Sequence, residues 1–370
     1  MHVKGKNYRA IRADKKNKSV RIINQLKIPF EFEIIEINSY SELVNATKDM
    51  RLRGAPLIGV AGAYAVWLAC VEAIDNKNPQ KFLKDAFKNI ITARPTAVNL
   101  KFATCYIYNK VLIEKNFSNW ENVAYKFANE YYENEIDSFR KIGEYGLEII
   151  KQIAKQKKGK VVNILTHCNA GWLACGDYGT ATSPIYLAHQ NGIKVHVWVD
   201  ETRPRFQGAK LTAWEMYNEK VPFTVITDNT GGHIMQQGLV DIVIVGADRV
   251  AANGDVANKI GTYLKALAAF DNKLPFYVAL PVSTIDFNLK QGVGEIVIEK
   301  RSTDEVVIID GISNKGKIQQ INLMPKNYNS ENYAFDVTPN RLITGIITEK
   351  GVVKANFKEI IKLKSNMYGR

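Results

Sequence analysis

Two residues in the second half of the chain could do proton-transfer or covalent chemistry. Cys168 follows the apolar run Ile164-Leu165-Thr166-His167 and precedes the small-residue turn Asn169-Ala170-Gly171. At a helix start, free amides and the helix dipole would favour its thiolate; an isolated cysteine also reads as inert core. Asp248 directly follows Val-Ile-Val-Gly-Ala. Partial desolvation there raises a carboxyl pKa and suits a general acid, although turns and helix caps use aspartate too. Three cationic turns suit phosphate. Arg51-Leu52-Arg53-Gly54-Ala55-Pro56 and Thr92-Ala93-Arg94-Pro95-Thr96 each precede a helical stretch, and Asn258-Lys259 stands near glycines at an expected helix start. Guanidinium forks and helix-start amides are phosphate ligands. Gly54 allows close backbone approach, and Pro56 fits a first helical turn. A further polar cluster, Asp200-Glu201-Thr202-Arg203-Pro204 with Gln207-Gly208, reads either as ligand-facing or as a solvated loop.

Short β-rich runs position these residues: VVNILTH (161–167), IKVHVWVD (193–200), PFTVITD (222–228), DIVIVGAD (241–248), PFYVAL (275–280) and EVVIID (305–310). Helical stretches such as SPIYLAHQNG, GAKLTAWEMYNEK and NKIGTYLKALAAFDN separate most of them. Buried strands alternating with helices specify a doubly wound parallel sheet. Such sheets bind ligands beyond the carboxyl ends of their strands, where Cys168, Asp200 and Asp248 stand. The first part differs. After a basic segment, IPFEFEIIEI alternates as a strand, and SYSELVNATKDM opens a helical region with Ser41 as cap signal. LIGVAGAYAVWLACVEAI is apolar nearly all round and reads as a buried helix, and helical patterns continue to about residue 155. The polar stretch KQKKGK (155–160) marks the expected boundary between residues 1–155, mainly helical, and residues 156–370.

The chain has 370 residues, 46% of them hydrophobic, and a net charge of +13. Residues 1–27 carry +8 and residues 350–370 carry +5, so the body between them is neutral. The excess therefore reads as solvated chain ends rather than a nucleic-acid footprint. Removing residues 1–18 is accordingly expected to leave turnover intact. No run of about 18 apolar residues predicts a membrane helix, and the amino end lacks the apolar stretch of a secretory signal. Four cysteines without a CxxC pair argue against a disulfide framework or structural zinc and for a reducing cytoplasm. There is no Walker loop and no GxGxxG after a strand. His167, His189, His196 and His233 show no metal-ligand spacing, and Trp67, Trp172, Trp198 and Trp214 read as packing residues. No cofactor, metal, membrane or nucleic-acid partner is expected.

Several segments together resemble one family. RGAPLIGVAGAYAV, ARPTAVNL, ILTHCNAG, YGTA, DETRP with QGAKLTAWE, ITDN, MQQG, IVGADRVAANGDVANKIGTY, PFYVALPVSTID and FDVTPNRLITGIITEKGV occur in order, within a resemblance that runs from about residue 20 to 354. They are similar to the methylthioribose-1-phosphate isomerases, within the superfamily of regulatory translation initiation factor 2B subunits. The resemblance implies a Rossmann-like C-terminal domain behind a smaller helical one, a homodimer, and aldose–ketose isomerisation of a sugar phosphate in methionine salvage. It implies Cys168 and Asp248 as the catalytic pair, with substrate contacts at Arg53, Gly54, Ala55, Arg94, Gln207, Asn258 and Lys259. Two other readings share the fold: an isomerase of 5-deoxyribose 1-phosphate or ribose 1,5-bisphosphate, and a non-catalytic regulatory subunit. Two routes fit the isomerisation, an enol formed by a Cys168 thiolate and a direct hydride shift.

Overall fold

The lysine-rich amino end is folded into strands. In the computed structural model, which describes residues 1–94, 98–325 and 327–364, His2–Val3 (β1) pairs with Lys6–Asn7 (β2). Ile11–Asp14 (β3), Ser19–Ile23 (β4) and Ile34–Ile37 (β5) form an antiparallel sheet. Val3, Ala10, Ile11, Val20 and Ile22 are buried while Arg12 and Arg21, paired across β3 and β4, are exposed. The cationic heads meet water, as expected of the basic end, while β3 and β4, which carry Arg12 and Arg21, also supply core residues. β5 is shorter than the alternation predicts. Residues 28–30 turn and 31–33 are irregular instead, and Pro29 has no N–H to give a ladder.

Five helices follow: α1 (Tyr40–Lys48), α2 (Ala55–Ala73), α3 (Pro79–Ile91), α4 (Val98–Ile113) and α5 (Trp120–Gln156). The cap of α1 is Ser39, not Ser41. Ser39 is extended at φ −136° and accepts the Glu42 amide at 3.2 Å, whereas Ser41 is already helical. α2, expected as a buried helix, is long and apolar enough by length and composition to cross a membrane. However, 89% of its apolar window is buried inside the protein, packed by α1, α3, α4 and α5, as a core helix is.

Past the Lys157–Lys160 turn come β6 (Val162–Thr166), α6 (Trp172–Cys175), α7 (Ser183–Gln190) and β7 (Val195–Asp200). A π-helical turn at Gly208–Thr212 leads into α8 (Ala213–Asn218), then β8 (Phe223–Ile226), α9 (Thr230–Gln236) and β9 (Ile242–Val245). β10 (Arg249–Ala251), β11 (Val256–Lys259), α10 (Thr262–Asp271), β12 (Phe276–Ala279) and β13 (Ile285–Asp286) continue the chain. α11 (Asp304–Val307), β14 (Ile308–Ile312), β15 (Ile318–Asn322), β16 (Phe335–Thr338), β17 (Gly345–Thr348), β18 (Gly351–Val353) and α12 (Phe357–Lys362) complete it.

The expected parallel sheet is present, with seven strands in the order β18-β17-β12-β9-β6-β7-β8. Only β18 is antiparallel. Two expectations are corrected. EVVIID is not one of its strands: it splits into α11 and β14, because Arg301 and Arg205 grip Glu305 and β14 pairs with β15 as a separate hairpin. The further parallel strand is β17, from the LITGIITEK segment. Asn258-Lys259 ends a strand rather than starting a helix, because β11 is paired with β10 and with Asp336-Phe335 on β16.

The topology carries one consequence for function. From β6 the chain builds outward through β7 and β8, then returns to place β9, β12 and β17 on the other side. The switch point lies between β6 and β9, and a crevice opens there beyond the strand ends.

Deleting residues 1–18 removes β1–β3 and uncovers β4. The deletion is expected to lower the thermal unfolding midpoint by many degrees or abolish soluble expression; an unchanged calorimetric transition contradicts this packing.

Candidate active site

Cys168 stands two residues beyond β6 and Asp248 three beyond β9, on the two sides of the switch point. Arg53, Gly54, Ala55, Arg94, Cys168, Gln207, Asp248 and Lys259 line one cleft of about 740 Å³, counting the solvent in its mouth. Asn258 lines a smaller adjoining cavity with Arg53, Cys168 and Asp248. All nine residues singled out by sequence therefore converge, although they come from α2, β11 and several separate loops. Pro95 and Thr96 of the second arginine turn lie outside the described residues. Gly54 caps α2 at φ +108°, and a β-carbon there would meet Ala174 at 2.5 Å. Only glycine fits.

The backbone of Cys168 is in the left-handed region, at φ +66°. Two threonines hold it: its N–H donates to Thr202 Oγ1 at 2.8 Å, and its carbonyl accepts from Thr212 Oγ1 at 2.7 Å. The expected stabilisation of thiolate by a helix start is not found. α6 begins four residues later and spans one turn, while burial pushes the Cys168 thiol pKa up against the pull of Arg53 and Lys259. Burial likewise raises Asp248 above the ordinary carboxyl range, opposed by Lys259, Arg53 and Arg94. It lowers the Lys259 ammonium, which Cys168 and Asp248 hold up. At both groups desolvation outweighs the neighbouring cations and shifts the balance toward the protonated form.

The cations are arranged for an anion. Arg53 is buried, and its fork is fixed by Asn169: Nη1 donates to Oδ1 at 2.5 Å and Nη2 to the backbone oxygen at 2.7 Å. Asn169 Nδ2 in turn donates to Glu215 Oε1 at 2.9 Å, and Thr212 Oγ1 lies 3.2 Å away. Buried Lys259 lies over the Phe335 ring at 4.8 Å. Among the described residues neither Arg53 nor Lys259 forms an ion pair with a carboxylate. Two buried cations facing one cleft call for a negatively charged ligand. Arg94 at the mouth pairs with Glu299 at 3.3 Å.

Sequence reasoning passed over two groups. Met50, Ile58, Ile296, Val297 and Phe335 give the cleft an apolar wall; they come from four separate segments, and nothing local marks them. Asn169, Thr202, Thr212 and Glu215 position the site and lie inside the ILTHCNAG, DETRP and QGAKLTAWE segments, where polar residues at predicted strand ends and on a buried helix were the available signal. His167, Asp200 and Asp228 also come together, with ligand atoms within 4.8 Å of one another, the one such grouping among the described residues. Lys265 Nζ already stands 3.2 Å from Asp200 Oδ2 and supplies the cation there.

A profile of the initiation factor 2 subunit family matches residues 51–355. A methylthioribose-1-phosphate isomerase of Desulfatibacillum aliphaticivorans is 52% identical, with 96% of each chain covered. One of Escherichia coli O45:K1 is 49% identical over 96% of this chain and 94% of its own. Among solved structures, 5-methylthioribose 1-phosphate isomerase from Pyrococcus horikoshii OT3 superposes with a TM-score of 0.82 at 37% identity, over 97% of this chain and 96% of that one. An A. fulgidus chain described as the delta subunit of translation initiation factor eIF-2B superposes with a TM-score of 0.77 at 35% identity, over 96% and 99%.

The alkylation rate of Cys168 by iodoacetamide, followed by peptide mass spectrometry, should keep rising with pH beyond the ordinary thiol value of 9.0. A plateau near neutrality would show a thiolate and contradict the raised pKa.

Proposed function

This chain belongs to the initiation factor 2 subunit family, among its methylthioribose-1-phosphate isomerases, and we propose that the crevice between the β6 and β9 ends is its active site. The enzyme converts 5-methylthioribose 1-phosphate to 5-methylthioribulose 1-phosphate, an aldose–ketose isomerisation of methionine salvage. The observation that carries the site assignment is the pair of buried, carboxylate-free cations, Arg53 and Lys259, facing the same cleft as Cys168 and Asp248.

The chemistry follows from the substrate. Its C1 hydroxyl is locked as a phosphate ester, so the ring opens with phosphate attached. Arg53, Lys259 and Asn258 hold the phosphate, the start of α2 at Gly54-Ala55 offers backbone amides, and Gln207 contacts the sugar. Arg94 joins when it exchanges Glu299 for the phosphate. Neutral Asp248 donates its proton to the ring oxygen as the bond from C1 to that oxygen breaks, leaving positive charge at C1. Hydride then moves from C2 to C1 with its electron pair. The C2 hydroxyl returns a proton to the Asp248 carboxylate, and the ketone forms with the acid regenerated. A buried, protonated thiol is a poor base, so the raised pKa of Cys168 supports the hydride route over the enol route. In this route the Cys168 sulfur stabilises the developing positive charge. The apolar wall of Met50, Ile58, Ile296, Val297 and Phe335 suits a methylthio group at C5 rather than a second phosphate.

The homodimer reading rests on an uncovered sheet face. Doubly wound sheets are covered on both sides, yet His196 and Trp198 of β7 and Ile226 of β8 are only half-buried, Thr224 is exposed, and Leu239 beside them is 44% exposed. A second copy covers this face. A cytoplasmic site is supported by the four unpaired thiols, including the one in the cleft. The proposed division into two units falls at residues 155/156, in the last turn of α5 and ahead of β6.

Cys168→Ser and Asp248→Asn are each expected to lower kcat by at least ~10²-fold in a coupled isomerase assay; near-normal turnover removes that residue from the mechanism. With deuterium at C2, product should retain the label at C1, whereas washout into solvent would restore the enol route. In sedimentation, the wild type is expected at twice the chain mass of 41.6 kDa and Thr224→Arg at the single mass. A monomeric wild type contradicts the dimer.

A further inference from the structure

His167, adjacent to Cys168, takes no part in the mechanism above, yet it is fully buried and bonded on both ring nitrogens. Nε2 lies 2.8 Å from the Ile260 carbonyl oxygen, and Nδ1 lies 2.8 Å from Asp200 Oδ2. A carbonyl only accepts, so Nε2 bears a hydrogen. Asp200 Oδ2 is also 3.2 Å from the Lys265 ammonium, which keeps Asp200 a carboxylate and therefore an acceptor as well. Nδ1 then bears the second hydrogen, and the ring is a cation. The groups facing it are consistent with that charge. Asp228 Oδ1 stands 3.8 Å from Nδ1, and the Asp228 carboxylate takes the Thr202 and Arg203 amides at 2.8 and 2.7 Å. Lys265 also donates to the Asp228 backbone oxygen. The Asp336 carboxyl, pushed up to about 6 by burial, accepts the Gly261 and Tyr263 amides and interacts with His167 and Lys265.

These bonds join three strand ends. The ring belongs to the β6 end that carries Cys168. Asp200 ends β7, and its backbone oxygen accepts from Thr202 Oγ1, the same oxygen that receives the Cys168 N–H. Ile260 directly follows Lys259. We propose that His167 is a positioning residue, protonated on both ring nitrogens, that locks the Cys168 turn to the Asn258–Lys259 turn and so fixes the thiol relative to the phosphate-binding amine. The inference rests on Lys259 holding the substrate phosphate.

Two isosteric variants divide the two bonds. In His167→Asn the side-chain amide replaces the Nδ1 donor and keeps Asp200 but falls short of Ile260. In His167→Gln the amide reaches the Nε2 position and keeps Ile260. Inorganic phosphate, as a competitive inhibitor, reports on the Lys259 turn alone. Its inhibition constant should rise at least ~10-fold in His167→Asn, the effect of losing one charge-assisted bond, and less than ~3-fold in His167→Gln. Turnover should fall in both. Nitrogen NMR of the wild-type enzyme, labelled in histidine, should show hydrogen on both ring nitrogens of His167, a readout that does not depend on the variants folding. A neutral ring, or equal phosphate inhibition in all three proteins, overturns the inference. If phosphate does not compete even with the wild type, the reading of Lys259 fails and takes this coupling with it, whereas a neutral ring with normal competition overturns His167 alone.

Discussion

The reversal of strand order at β6 is the constraint on which the rest of the site depends. Two neighbouring parallel strands leave a crevice at their carboxyl ends only where their connections run to opposite faces and sides. Here that happens once in the sheet, between β6 and β9. Because the two strands are adjacent, a thiol two residues beyond one and a carboxyl three beyond the other face the same space without any long loop to place them. The helical half then closes the crevice with the start of α2, where Gly54 brings backbone against Ala174 and Arg53 reaches back to Asn169.

Burial sets the chemistry of that space. Removing water pushes the pKa of both acids up and that of the Lys259 amine down, so desolvation opposes charge on Cys168 and Asp248 beside Arg53 and Lys259. In the mechanism we propose, a dianionic phosphate compensates those cations and leaves the Asp248 proton for the ring oxygen. The same low-dielectric surroundings strengthen each electrostatic interaction inside the cleft. The positioning residues Thr202, Thr212, Asn169 and Glu215 are correspondingly buried and hydrogen-bonded, which is how an unfavourable left-handed Cys168 is kept in place.

Much of this was legible in the sequence, and the reasons differ between elements. The parallel strands and α2 were readable because continuous apolar runs bury on all sides. Cys168, Asp248 and the Arg53-Gly54 and Arg94 turns were readable because strand ends and glycine- or proline-marked turns announce themselves locally, whereas Gln207 and Ala55 entered as contacts only through the family resemblance. The thiolate expectation failed because desolvation, a property of the folded surroundings, outweighs a one-turn helix. Asn258-Lys259 was misplaced on a helix start because the partner that makes it a strand, β16, lies some 77 residues on. At the basic amino end the exposed charges were visible in the sequence, while the alternate residues Ile11, Val20 and Ile22 declare their burial only against the rest of the core. The apolar wall, drawn from Met50 through Phe335, has no local signature at all.

The most direct test of the account is a crystal structure of the Asp248→Asn variant with 5-methylthioribose 1-phosphate bound. The account predicts the phosphate on Arg53 and Lys259, the ring oxygen facing residue 248, C2 beside the Cys168 sulfur, and the methylthio group against Met50 and Phe335. A phosphate seated away from Arg53 and Lys259, or a ring oxygen turned from residue 248, would contradict it.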